Sequence, residues 1–291
     1  MLSILSFSLV GALSFLAPNG WYLGTTEAYN VVRVCQNKHC CKRANTDVLQ
    51  TIHNLVGTGG DGSVVVEASG CLSHCDKGPN MEVQTRDGTT VLQGMTDAQT
   101  CALQFGEVSS SSPLFPPVPK ILIAASKVME QSQRFGAMGQ HEEQIRYLAS
   151  VIAKLENSPA ISPSTPANAH AHVLRAQAYL QLAEKQATAG TGAGSGSGDT
   201  ESRSESIAAS IRDARRVVGD FSAVATPASL SLAYRTWADA LLEQQRDEER
   251  ETRDAKDFSK VVAVLTQWYG AQPTYRTKLQ GEIQGLLMGT S

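Results

Sequence analysis

Cys35-Gln-Asn-Lys-His-Cys40 and Cys71-Leu-Ser-His-Cys75 are two cysteine pairs separated by one helix-like and one strand-like segment. Thiolates on two loops, joined by a unit that folds the loops together, can hold a metal centre. Upstream of the first pair, residues 29–34 (Tyr-Asn-Val-Val-Arg-Val) are β-branched and apolar and read as a strand running into Cys35. Between the pairs, Val48, Leu49, Ile52, Leu55 and Val56 fall at helical spacing within 43–56, with Asn45 or Thr46 as cap. Gly57-Thr-Gly-Gly-Asp-Gly62 then breaks the chain, and residues 63–68 form a second strand ending at Gly70-Cys71. After Cys75, Gly78-Pro79-Asn80 turns into a strand at 81–85, and Arg86-Asp87-Gly88 marks a hairpin into 89–92. Residues 96–105 close the unit as a helix, with Thr96 as cap and Ala98, Cys101, Ala102 and Phe105 facing inward. The order is β-α-β-β-α. Both cysteine loops leave the C-terminal ends of strands, where sites in α/β folds collect.

The run Val34-Cys35…Cys40, followed by Ser69-Gly70-Cys71-Leu72-Ser73-His74-Cys75-Asp76-Lys77-Gly78-Pro79-Asn80-Met81-Glu82-Val83, resembles the thioredoxin-like [2Fe–2S] ferredoxin family over residues 29–107. In that family C-x4-C and C-x3-C, followed by Gly-Pro and a strand, hold the cluster. The resemblance implies a thioredoxin-like ferredoxin domain over 27–107 with a [2Fe–2S] cluster as cofactor. Its implied ligands are Cys35, Cys40, Cys71 and Cys75. Cys41 departs from the pattern, since it directly follows the second implied ligand and can compete by a one-residue shift. Such a cluster carries net negative charge that grows on reduction, so backbone N–H donors and nearby cations tune its potential. Lys38, Lys42, Arg43 and Lys77 flank the pairs and can serve that purpose, dock a partner, or stand as solvated loop charges. Zinc is the competing metal, although this pair of spacings in a β-α-β-β-α unit is unusual for it. A dithiol oxidoreductase would need C-x-x-C at a helix start, and the sequence has none. Cys101, on an inner helix face, reads as a buried apolar side chain. His39 and His74 read as exposed loop histidines, with a mixed His/Cys cluster as the alternative.

The chain has 291 residues, enough for two domains, with 42% hydrophobic and 18% charged residues and a formal charge of -3. That balance, with 6% aromatics and no basic run interleaved with them, excludes nucleic acid and anionic membrane as expected partners. Five of the six cysteines crowd into 35–75, unlike a disulfide framework, which staples a chain too small to build a core. Residues 4–17 form an apolar run too short to span a bilayer, and residues 1–20 read as a targeting segment that leaves no transmembrane anchor in the mature chain. Ser14-Phe15-Leu16-Ala17-Pro18 resembles the Phe-containing cleavage motif of plastid presequences in diatoms and related algae, which implies a chloroplast location, with the mitochondrion as alternative. A stray hydrophobic N-terminus is the plain reading. Secretion fits worst, because free thiolates are hard to keep in an oxidising compartment.

Residues 108–119, rich in Ser and Pro, read as a linker. Beyond it strand signals stop, and helices are expected near 120–137, 140–156, 168–187, 203–218, 227–251, 255–269 and 274–287. A Gly/Ser insertion at 188–202 is expected to be disordered. The paired helices at 126–159 are similar to one tetratricopeptide repeat, with degenerate second and third copies beginning near Ala171 and Leu232. The resemblance implies an all-α TPR-like solenoid over 120–291 that presents a concave surface to a protein or peptide. A plain helical bundle is the alternative. The mixed charges of 244–256 read as a solvated helix end. The sequence has no Gly-x-Ser-x-Gly, phosphate-binding loop, His-Glu-x-x-His or dinucleotide fingerprint. The expected protein is therefore no enzyme by itself. It is an iron–sulfur electron carrier or redox-responsive protein that meets redox partners near the cluster. The alternative is an assembly scaffold whose metal site is structural.

Overall fold

A computed structural model describes residues 30–56, 64–85, 88–111, 117–189 and 198–252, together with 263, 264, 266 and 267. It is a mixed α/β unit followed by a helical one. The first comprises β1 (Asn30–Cys35), a short helix α1 (Lys38–Cys41), α2 (Val48–Val56), β2 (Val64–Ser69), a 3-10 turn (Cys75–Lys77), β3 (Asn80–Thr85), β4 (Gly88–Gln93) and α3 (Ala98–Ser111). The strands form one sheet in the order β2-β1-β3-β4, with β1 parallel to β2 and antiparallel to β3. Alternation along the strands sorts the two faces. Val32, Val34, Met81 and Val83 point into a core with Ile52 and Leu55 of α2 and Cys101, Ala102 and Phe105 of α3. On the other face Arg33 pairs with Glu67 of β2 at 3.4 Å and Glu82 of β3 at 2.9 Å, its register partners on either side. A one-residue slip would put that guanidinium in the core, so this side-chain alternation fixes the register.

The helix starts differ from the sequence expectation for a local reason. Asp47, rather than Asn45 or Thr46, caps α2, its Oδ1 accepting Gln50 N–H at 3.0 Å. Thr46 Oγ1 lies 3.2 Å from Thr51 Oγ1, and Asn45 N–H donates to Thr96 O. Likewise Asp97, rather than Thr96, caps α3, accepting Thr100 N–H at 2.8 Å. That helix also runs through 108–111, expected as the start of the linker, because no proline interrupts the serines before Pro113. Residues 112–116 lie outside the described ones.

The helical unit comprises α4 (Lys120–Ala137), α5 (His141–Glu156), α6 (Pro166–Ala189), α7 (Gly198–Gly219) and α8 (Pro227–Thr252). Each helix packs on the next, and α6 also touches α2, α4 and α8, which makes it the central one. Its sequence suits that position. Ala167, Ala169, Ala171, Ala176, Ala178 and Ala183 are all wholly buried and let neighbouring backbones approach closely. Helix covers 188–189 and 198–202, both within the stretch expected to be disordered, while 190–197 lie outside the described residues. The expected helices at 255–269 and 274–287 also lie outside them, except that 263, 264, 266 and 267 are helical and Val264 is buried beside Tyr234 and Ala238. The expected targeting segment 1–20 is outside as well. Among the described residues no helix is long and apolar enough to cross a membrane.

The two units meet across a seam on α2. One side of this helix faces the sheet; the other carries Gln50 and Asn54, both buried. Gln50 Oε1 accepts from Thr226 Oγ1 at 2.6 Å and Ser229 Oγ at 3.1 Å, at the start of α8. Gln50 Nε2 donates to Asn54 Oδ1 at 3.0 Å, and Asn54 Nδ2 meets His170 Nδ1 of α6 at 3.0 Å. A second tie runs from α3 to α4, where Ala98 N–H donates to Glu130 Oε2 at 3.0 Å.

Candidate metal centre

Both cysteine loops are built by the parallel β1–β2 pair. Cys35 is the last residue of β1 and stands opposite Ser69, the last of β2. Gln36 N–H continues the ladder to Ser69 O at 2.8 Å, so the two loops leave the same end of the sheet side by side. Asn37 then accepts His39 N–H at 3.0 Å and starts α1, a single helical turn in place of the expected polar loop. This turn carries Cys40 inward, where it is wholly buried, and leaves Cys41 exposed.

The second loop is fastened at several points. Arg43 donates to Asp76 O, linking the end of the first loop to the second. Lys77 N–H donates to His74 O at 3.2 Å, Asn80 Nδ2 also donates to His74 O, and Gly94 N–H and Met95 N–H donate to Lys77 O and Pro79 O, each at 3.0 Å. The Gly78–Pro79 peptide is cis. Gly78 is pressed onto the first loop so closely that a Cβ there would lie 2.7 Å from Cys40 Sγ.

The cysteines occupy distinct environments. Cys35 is buried at the strand end, Cys40 lies under Gly78, and Cys71 is exposed. The Cys75 backbone opens the 3-10 turn, and its side chain lies outside those described. Ser73, held at φ 64°, directs its N–H to Cys71 Sγ at 3.4 Å, a contact that stabilises a thiolate. Cys41 Sγ points instead to Cys35 O at 4.0 Å. Burial pushes the Cys41 thiol up, and nearby Cys35 and Asp47 add to this. Cys101 is far less available, since burial, with Asp97 and Glu130 nearby, pushes its thiol up to about 12. His39 and His74 are exposed. Among the described residues no three His, Cys, Asp or Glu side chains already converge on one point.

The donor chemistry nevertheless fits a thiolate-bound group. Among the described side chains, Cys35 and Cys40 on one loop and Cys71 on the other are soft sulfur donors on adjacent, hydrogen-bonded loops, and Cys71 already receives a backbone N–H. The glycine contact brings the second loop directly onto the Cys40 sulfur.

A second polar centre, whose pairings no local sequence pattern marks, lies inside the helical unit. Arg175 grips Asp213 at 2.6 and 2.8 Å, and His172 Nδ1 lies 3.0 Å from the same carboxylate. Arg216 pairs with Glu156 at 2.8 Å and lies 3.3 Å from His172 Nε2. The signal was present as polar residues at buried helical spacing, but nothing in one sequence pairs positions on three different helices. This network pins α5, α6 and α7 together. No family model, no curated protein and no solved structure matches the chain.

Proposed function

We propose that the chain is a [2Fe–2S] iron–sulfur protein acting in one-electron transfer or redox sensing, docked to a partner through its helical unit. In this reading residues 27–107 are a thioredoxin-like ferredoxin domain, and 120–291 are a TPR-like solenoid. The sheet order β2-β1-β3-β4 in a β-α-β-β-α unit supports the first assignment. Sequential packing of α4 to α8, with α6 touching both α4 and α8, supports the second.

The observation that carries the reading is the tie between the cysteine loops. The Cys35–Ser69 register, the Gln36–Ser69 bond and the contact of Gly78 with Cys40 Sγ bring the loops that carry the C-x4-C and C-x3-C spacings to one end of one sheet. Cys35, Cys40, Cys71 and Cys75 would hold the cluster, which supplies a one-electron couple when bound. The chain's own part is to bury two of the sulfurs, direct Ser73 N–H at a third, and surround the loops with cations. Cys71→Ser is expected to bleach visible absorption and lower iron content; unchanged absorption and iron would refute the ligand assignment.

The stacked helices α4 to α8 favour a second reading, in which the metal site is structural and the chain is an assembly scaffold that binds through its helical unit. A redox-silent metal in a protein that nevertheless holds a stable partner would select it. A plastid location, with the mitochondrion second, rests on Ser14–Pro18 and is tested by fluorescent tagging of residues 1–40 in an algal host. Diffuse cytosolic signal would defeat both.

A further inference from the structure

The thiols of the candidate centre are not equally placed for exchange with another molecule. Cys35 and Cys40 are buried, whereas Cys71 is exposed. The two tied loops expose Lys38, Lys42, Arg43 and Lys77 against two carboxylates, Asp47 and Asp76. These cations come from separate stretches of sequence. The Gln36–Ser69 and Arg43–Asp76 bonds hold together the two loops that carry them. The rim is thus locally positive in a chain whose overall balance is -3. A large anionic plane, such as a membrane or a nucleic-acid duplex, would meet the repulsion of the whole acidic molecule. A small acidic patch on another protein would meet only the rim.

The geometry points to this face as the docking surface for an electron-exchange protein that presents carboxylates, seated over Cys71. The inference rests on the iron–sulfur reading for the partner's role, and on charge and exposure for the surface. Electron exchange falls off steeply with distance, so the exposed sulfur is where a partner must sit. Charges at an interface rim chiefly set encounter rate and orientation, which suits a carrier that must dock and leave quickly.

The test uses the full chain, with a synthetic polyglutamate peptide as probe. Saturable binding is expected at low ionic strength and its loss near ~1 M salt, where the screening length falls to about 3 Å. The triple variant Lys38→Glu, Lys42→Glu, Lys77→Glu should weaken binding by about tenfold or more, while Lys154→Glu, exposed on α5, should not. Arg43 is left intact because it ties the loops. An unchanged melting temperature keeps the triple variant interpretable. Equal binding by triple variant and wild type, or no saturable binding at low salt, would overturn the surface. Tighter binding of phosphatidylserine vesicles or a DNA oligonucleotide through the same lysines would overturn the assignment to a protein partner. Iron and sulfide are assayed on each preparation. Binding that persists in protein unable to take up a cluster would remove the electron-exchange role and leave the docking face standing.

Discussion

Gly78 has φ -68° and ψ 168°, a backbone that any residue adopts, so its requirement for glycine is steric. An added Cβ would sit 2.7 Å from Cys40 Sγ and 3.5 Å from Cys40 Cα, so the loops must part by several tenths of an ångström. Gly78→Ala should therefore destabilise the fold by about 1–3 kcal/mol in urea titration, as overpacking does elsewhere. On the proposed function it should also lower iron retention; full stability with full iron would mean the loops do not need to touch. Thiol chemistry gives an independent check at the same scale. In the metal-free native protein, a disulfide reagent at mildly alkaline pH should label the exposed Cys41 and Cys71 quickly. Cys101, wholly buried with its thiol pushed up to about 12, should react only on unfolding. Cys101→Ala should leave iron content unchanged, which separates a core cysteine from a ligand.

Helix α2 does two jobs, and only one was legible in its sequence. Val48, Ile52 and Leu55 at helical spacing announced the face that packs on the sheet. Gln50 and Asn54, one turn apart, look like solvent-facing residues until Thr226, Ser229 and His170 arrive from far along the chain. The succession of strands and helices along the chain, the inner face of α3 and the helices of 120–251 were likewise readable, because each depends on local period. The caps were not: Asn45 or Thr46 and Thr96 are the expected caps, and Asp47 and Asp97, each directly after them, take the role because neighbouring polar side chains compete on equal chemistry. The seam and the Asp213 network depend on pairings that no local pattern encodes. Gln50→Leu removes an acceptor from two buried hydroxyls and should cost about 1–3 kcal/mol. The seam also makes stability depend on pH. Burial pushes His170 down to about 4, while Asp47 opposes this weakly. The unfolded imidazole titrates near 6.5, so stability from the neutral folded form is complete above that pH and is lost as pH falls toward about 4. His170→Gln should flatten that part of the stability profile; an identical profile would show that His170 does not titrate differently on folding.

At the scale of the molecule, the two units are joined by buried polar bonds as well as by chain, and hydrogen exchange should report their opening as one event. Loss of α2 protection well before α6 would contradict that. In the helical unit, burial pushes the Asp213 carboxyl up, but the Arg175 fork and the His172 bond outweigh it and hold it below the usual range. Stability from this carboxylate is thus present above about pH 4 and lost as pH falls below it. Asp213→Ala would leave Arg175 and His172 without their acceptor and should cost about 3–5 kcal/mol. Whether the two tied loops hold a cluster is decided by anaerobic purification of the full chain. Iron and sulfide assay, visible absorption, and electron paramagnetic resonance after dithionite would follow. The expected result is about two irons and two sulfides per chain and a paramagnetic signal that appears on reduction. Zinc, or no metal after attempted reconstitution, would contradict it and leave a helical scaffold with a structural head.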